Sequence, residues 1–487
     1  MTACACDCSE NNHTENTILK SWAGFKGWVC SDYDGTRSTI DAANGGLDIA
    51  MPGPPNRPDF FGSMLIKEVA AGTVTEATVT EKATRVVYSL AKVGALDTPR
   101  PPTAGADVTS AAHLALARKL ASSACILLKN EGGILPLTMS TKVAVIGDAG
   151  NLGAIYGGAG SGSVVPKNSS AVPLFVAMKA RGIEAVHATG HDVAHAQAVA
   201  KAADVVIVVL AQSSTEGHDR QWLNLTQAEL VPAVASANKK TVVLTVTPGP
   251  FLTAPWIEHA AALVDIGLPG EQEGNGAIDV LFGLINPSGK LPHTLPNKFN
   301  EVEMTAEQYP GSPPDGKEGP PCTFAPISQD PGGIPSPKFV SCSPTKAHYT
   351  EKLEVGYRWY DAHDVKPAFA FGFGLSYTTF AYSGLQVSGR EVSFYLKNTG
   401  EVTGAEVSQL YLTYPSVAQQ PFKQLRGFNK TVLAPGAQTM VSFTLTDRWL
   451  SNWDAVAHAW KLTKGTFAVG VGGSSDDLPL TGEVHVA

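Results

Sequence analysis

The chain has 487 residues, 44% of them hydrophobic and 16% charged, with a net charge of −8 at neutral pH. That length accommodates roughly three domains, each with its own core. An acidic balance without a basic stripe excludes nucleic acid and anionic membranes as expected partners, and no apolar run approaches the ~18 residues that cross a bilayer.

Met1 to Asn16 is polar and Cys-rich and lacks the apolar centre of a secretory signal peptide. Cys4, Cys6 and Cys8 form C-x-C-x-C, but no His or Cys pair follows at zinc-site spacing, so a poorly ordered tail is expected rather than a metal site. Asn-x-Ser/Thr sequons at Asn12, Asn168, Asn224 and Asn429 are a hint of secretion.

The run from Gly24 to Val29 is apolar and β-prone, and it leads through Cys30, Ser31, Asp32 and Tyr33 into an Asp34-Gly35 turn signal. A carboxylate at the C-terminal tip of a buried strand is where an α/β barrel carries its catalytic groups. Asp32 is therefore a candidate for chemistry. Equally open is an N-cap role for a helix starting near Ser38. Cys30, like Cys125 further on, sits in an apolar segment and is expected to be a buried thiol. Phe61, Leu65 and Val69, then Val79, Ala83 and Val86, recur at helical spacing. Pro99 to Pro102 reads as a linker.

Residues 111 to 295 alternate helical stripes, such as Leu114, Ala117, Ala121 and Ala124, with short apolar runs. The runs are Ile126–Leu128, Val143–Ile146, Val205–Leu210, Val242–Val246 and Leu263–Ile266. They predict a mainly parallel sheet covered on both faces, an α/β sandwich. Glu216 follows one of these strands, on the edge where open α/β sheets bind ligands. A pair of carboxylates on strand-end loops suits acid/base or nucleophile/acid work on a glycosidic bond. An ion pair of Glu216 or Asp219 with Arg220 is the structural alternative.

The Gly-rich run from Gly157 to Ser163, with Gly160 and Ser161 at its centre, fails G-x-G-x-x-G spacing. It fits a backbone-rich loop close to a polyhydroxylated ligand. His191 and His195 are four apart without a third ligand, so a solvated helix face is expected rather than metal. Trp222, Trp256 and Trp359 are isolated and expected in the core. Residues 296 to 350 are Pro/Gly-rich and read as a long loop, bracketing Cys322 and Cys342, which a disulfide could join in an oxidising compartment. From Ser383 the period becomes two, as in Val392/Phe394/Leu396, predicting an immunoglobulin-like or fibronectin-like β-sandwich.

Together these motifs, in this order from Leu19 on, resemble glycoside hydrolase family 3, the β-glucosidase family. The carriers are Gly24 to Asp32, Gly45-Gly46-Leu47-Asp48 with Met51-Pro52-Gly53, Leu127 to Glu131 with Leu135-Pro136-Leu137, and Glu216 to Arg220. Leu268 to Gly274, Asn286 to Pro292, Gly356 to Tyr360, Phe371 to Tyr377, Leu425 to Phe428 and Leu433 to Gly436 complete the set. The resemblance implies a multidomain α/β plus all-β chain. Residues 17–98 would be an incomplete (β/α)8-barrel remnant, 111–380 an α/β sandwich and 383–487 a fibronectin type III-like β-sandwich. Only about 80 residues precede the linker against the ~250 of a full barrel, so a truncated member or an incomplete gene model is expected.

It further implies hydrolysis of terminal non-reducing β-D-glucosyl residues with retention. Asp32 would be the nucleophile and Glu216 the acid/base, with Tyr33, Met51, Gly160 and Ser161 near the substrate. The family usually has Trp where this chain has Tyr33. The expected partner is a β-glucoside or oligosaccharide, with no nucleic acid, no membrane and no metal or organic cofactor. The intact protein would be extracellular or vacuolar. A β-xylosidase or exo-glucanase, or a catalytically inactive carbohydrate-binding or structural remnant, are the alternatives.

Overall fold

The computed structural model describes residues 8–33, 35–53, 58–98, 107–151, 171–212, 214, 222–305, 308, 325–327, 336–338 and 348–487. The chain divides into two units, Met1–Val108 and Thr109–Ala487.

The first unit opens with a short 3-10 turn, Cys8–Glu10, and a ten-residue π-helix, His13–Trp22. Three α-helices follow: α1 (Ile40–Gly45), α2 (Ser63–Ala70) and α3 (Glu76–Lys92). α3 starts where the Thr75 side chain accepts the Thr78 N–H, with Glu76 and Lys92 matching the positive and negative ends of the helix dipole. Ala43, Leu65 and Val74 form a small core, joined by Phe61, Val69 and Val79 from the periodic stripe. Between the helices, one isolated parallel bridge joins Cys30 to Ile49.

The second unit begins with α4 (Ala111–Ala124), whose Ser110 cap accepts the His113 N–H. It then builds a six-stranded sheet from β1 (Ile126–Asn130), β2 (Val143–Ile146), β3 (Ala185–Ala188), β4 (Val205–Ala211), β5 (Thr241–Val246) and β6 (Ala262–Asp265). The order is β1-β6-β5-β4-β2-β3. β2 to β6 pair in parallel, and β1 closes one edge antiparallel to β6.

Each strand divides its side chains between two cores. Val143, Val145, Val205, Ile207 and Val209 face α5 (Leu174–Ala180) and α8 (Glu273–Leu281). Ala144, Ile146, Val206, Val208 and Leu210 face α6 (Val193–Ala202) and α7 (Leu230–Ala237). Burial on both faces explains why these strands read as continuous apolar runs.

β7 (Ala325–Ile327) and β8 (Ser336–Lys338) form a short antiparallel pair, and α9 (Tyr357–Ala362) precedes the all-β part. There β9 (Phe380–Ser388), β10 (Glu391–Asn398) and β13 (Gln438–Thr444) make one sheet. β11 (Gly404–Thr413), β12 (Gln424–Leu433), β16 (Gly465–Gly472) and β17 (Leu480–Val486) make the other. Phe394, Phe443, Leu410, Phe467 and Val469 fill the space between them. A hairpin of β14 (Ser451–Asp454) and β15 (Ala459–Leu462) projects from this sandwich.

Candidate active site

In the first unit, the Asp32 segment is held as one half of a short parallel pair. The Asp48 and Ile49 N–H groups both donate to Val29 O, at 2.9 and 3.0 Å, and the Ser31 N–H donates to Ile49 O at 3.0 Å. The Met51 N–H donates to Ser31 Oγ at 2.9 Å, and that hydroxyl donates to Asp32 O, also at 2.9 Å. Gly35 closes the turn by donating to Asp32 O at 3.0 Å. A Cβ at Gly35 would meet Asp32 backbone atoms at 3.2–3.3 Å, closer than ordinary van der Waals contact.

The Asp32 side chain is exposed, and its Oδ1 accepts the Tyr33 N–H at 2.7 Å. It caps no helix. α1 begins instead after Thr39, and the Arg37 and Ser38 N–H groups that precede it are taken by Glu10 Oε1. Tyr33 is 67% exposed and Met51 is half-buried. Cys30 is exposed rather than buried, as is Asp32, whereas Ser31 between them is buried. Partial desolvation and the Asp32 carboxylate raise the Cys30 thiol pKa. Cys125 is buried as expected, and burial pushes its thiol strongly up.

Beneath this pair lies a group of charges that sequence reasoning missed. Asp48 accepts from Val29 N at 2.7 Å through Oδ2 and from Lys20 Nζ at 2.8 Å through Oδ1. Lys20 Nζ also donates to Gly46 O, and Lys82 Nζ to Leu47 O, each at 2.6 Å. Glu15 sits beside them, 5% exposed, with Oε2 unpartnered. Burial raises its carboxyl to about 7, and burial lowers Lys82 to about 8, with Lys20 adding repulsion. The only advance signal was Asp48 inside the Gly-Gly-Leu-Asp motif; nothing in the sequence singled out Lys20 or Lys82.

In the second unit, the sheet order reverses direction between β2 and β4, the crevice where open α/β sheets bind ligands. Gln227 Oε1 accepts the Asp148 N–H at 3.0 Å there, and Gln227 Nε2 donates to Thr189 O. His191 Nε2 lies 3.1 Å from Asp148 Oδ2. Gly147 has φ 105°, and a Cβ on it would stand 2.6 Å from Val209 O, so only Gly lets β2 pass this close to β4. Gly160, Ser161 and Glu216, with Asp219 and Arg220, lie outside the described residues, as do Cys4, Cys6, Cys322 and Cys342.

His195 sits in the first turn of α6. Its N–H is the one capped by Asp192 at the start of α6. No cluster of metal-holding side chains occurs among the described residues. Trp256 is in the core as expected, whereas Trp222 is 63% exposed, with its ring tilted against Phe299. Trp359 stacks on His363.

Residues 125–377 match the glycosyl hydrolase family 3 C-terminal domain, and residues 406–475 a fibronectin type III-like domain. The chain is 33% identical to probable β-glucosidase L of Aspergillus terreus over 98% of its own length and 69% of that protein's. The chain belongs to glycoside hydrolase family 3. A second family member, probable β-glucosidase L of Emericella nidulans, is 34% identical over 98% of this chain and 69% of its own. Two solved family 3 structures superpose over 99% of this chain and 71% of theirs. They are β-glucosidase D2-BGL from Chaetomella raphigera (30% identity, TM-score 0.84) and the β-D-glucoside glucohydrolase from Trichoderma reesei (29%, 0.85).

Proposed function

We propose that this family 3 chain hydrolyses terminal β-D-glucosides with retention of configuration. Asp32 attacks the anomeric carbon and forms a covalent glycosyl-enzyme. Glu216 first protonates the leaving oxygen and then draws the proton from the water that releases the sugar. Tyr33 and Met51 flank the sugar, and the Gly160-Ser161 loop lets backbone approach its hydroxyls. The first unit serves as part of a barrel and the sequons serve a secreted glycoprotein, with Asn12, Asn224 and Asn429 all on exposed positions.

The observation that carries this proposal is the exposed Asp32 carboxylate two residues beyond an isolated, hydrogen-bonded parallel bridge, open to solvent where its own backbone carbonyl is tied down. Incubation with a 2-fluoro-glucosyl fluoride tests it. The slow-turnover sugar is expected to add once to the chain and to map to the peptide containing Asp32. A label elsewhere, or none, sinks the proposal.

A further inference from the structure

We propose that Asp48, charged and tied to Lys20, is a positioning residue for Asp32; this rests on Asp32 acting as the nucleophile. Val29, three residues ahead of Asp32, has both of its backbone groups held by Asp48. The Asp48 N–H donates to Val29 O at 2.9 Å, and Asp48 Oδ2 accepts the Val29 N–H at 2.7 Å. A residue that clamps another through main chain and side chain at once fixes both its register and its twist.

The clamp itself is anchored. Asp48 is 7% exposed, and its second oxygen takes the Lys20 ammonium, which bonds Gly46 O on the near side of the same segment. Lys82 holds Leu47 O from the opposite helix. The far end of the pair is fixed by the relay from Met51 N through Ser31 Oγ to Asp32 O. Asp32 is thus exposed at its carboxylate and held at its backbone from both ends. That is the arrangement required of a nucleophile whose attack angle matters more than its affinity for substrate.

Asp48→Asn tests this, because an amide offers one acceptor oxygen where the carboxylate offers two. Either the Val29 N–H or Lys20 then loses its bond to Asp48. In the full chain, hydrogen exchange of the stretch 28–33 is expected to accelerate while α3 stays protected. Turnover of an aryl β-glucoside per titrated active site is expected to fall about 10- to 100-fold, with KM changed less than about threefold.

Exchange unchanged in a folded Asp48→Asn chain, or turnover within about twofold of the unsubstituted chain, overturns the proposal. Should Asp48→Asn not fold, the double variant Lys20→Met/Asp48→Asn decides by the same two readouts, since it removes the clamp without leaving the Lys20 charge buried and unpaired. A lack of any turnover or labelling in the unsubstituted chain would remove the catalytic role of Asp32 instead. The exchange comparison would still decide whether the clamp exists.

Discussion

Lys20 and Asp48 form a closed ion pair inside the first unit, 2.8 Å apart with side chains 5% and 0% exposed. Two charges out of water stabilise the fold only as a pair, since either one alone keeps its desolvation cost without the attraction that offsets it. Lys20→Met is therefore expected to destabilise the chain by about 3–5 kcal/mol. The double variant Lys20→Met/Asp48→Asn should lose at least ~1 kcal/mol less than the sum of the singles. Urea unfolding of the four chains measures both, and strictly additive losses would show that the pair is not coupled.

Glu15 gives the unit a pH dependence of definite sign. Burial raises its carboxyl from 4.5 to about 7, so between those values the folded chain holds a proton that the unfolded chain releases. Its contribution to stability is complete below about 4.5 and is lost as pH rises through about 7. Glu15→Gln removes the titration. The variant should gain about 1–2 kcal/mol on the native chain between pH 5 and pH 8, after a discount for solvent screening. Equal differences at the two pH values would mean that Glu15 is ionised normally in the fold.

Gly46 ends α1 at φ 118°, and a Cβ there would stand 2.7 Å from Glu15 Cβ. Gly46→Ala combines backbone strain with a clash against the π-helix that carries Glu15 and Lys20. A loss of roughly 1–3 kcal/mol is expected in thermal or urea unfolding. A neutral effect would show that His13–Trp22 moves away at little cost.

Asn398 is the corresponding polar keystone of the β-sandwich. Its side chain is fully buried and donates to Val402 O and Leu433 O, both at 2.9 Å, while Oδ1 accepts from Thr378 Oγ1 at 2.7 Å and Gly400 N at 3.1 Å. Asn398→Leu removes all four of these hydrogen bonds from a fully buried position. The cost should be at least about 2 kcal/mol, read as a lower urea midpoint by tryptophan fluorescence, and an unchanged midpoint would contradict it.

The parts of the fold with strong periodicity were legible in advance. Doubly covered strands announced themselves as apolar runs, and the β-sandwich as alternation with turns at Asn398 and Gly436. β3 escaped notice because Ala185-Val186-His187-Ala188 is an edge strand, partly exposed and short of β-branched residues. Asp32 was legible as a candidate carboxylate but not as a residue tied down from both sides. Its supports are buried charges, and burial of a Lys or Glu leaves no mark in local composition. Cys30 was misjudged for a related reason: an apolar neighbourhood in sequence does not say whether a residue's own side chain is buried.

The central claim, that Asp32 attacks the sugar, is tested most directly by replacing it with Gly and supplying azide. The variant alone should lose turnover of an activated aryl β-glucoside, by about 3 orders of magnitude or more. With the carboxylate gone, azide enters from the vacated face, so activity should return with the α-glucosyl azide as product. A β-glucosyl azide, or turnover unaffected by Asp32→Gly, would contradict the assignment.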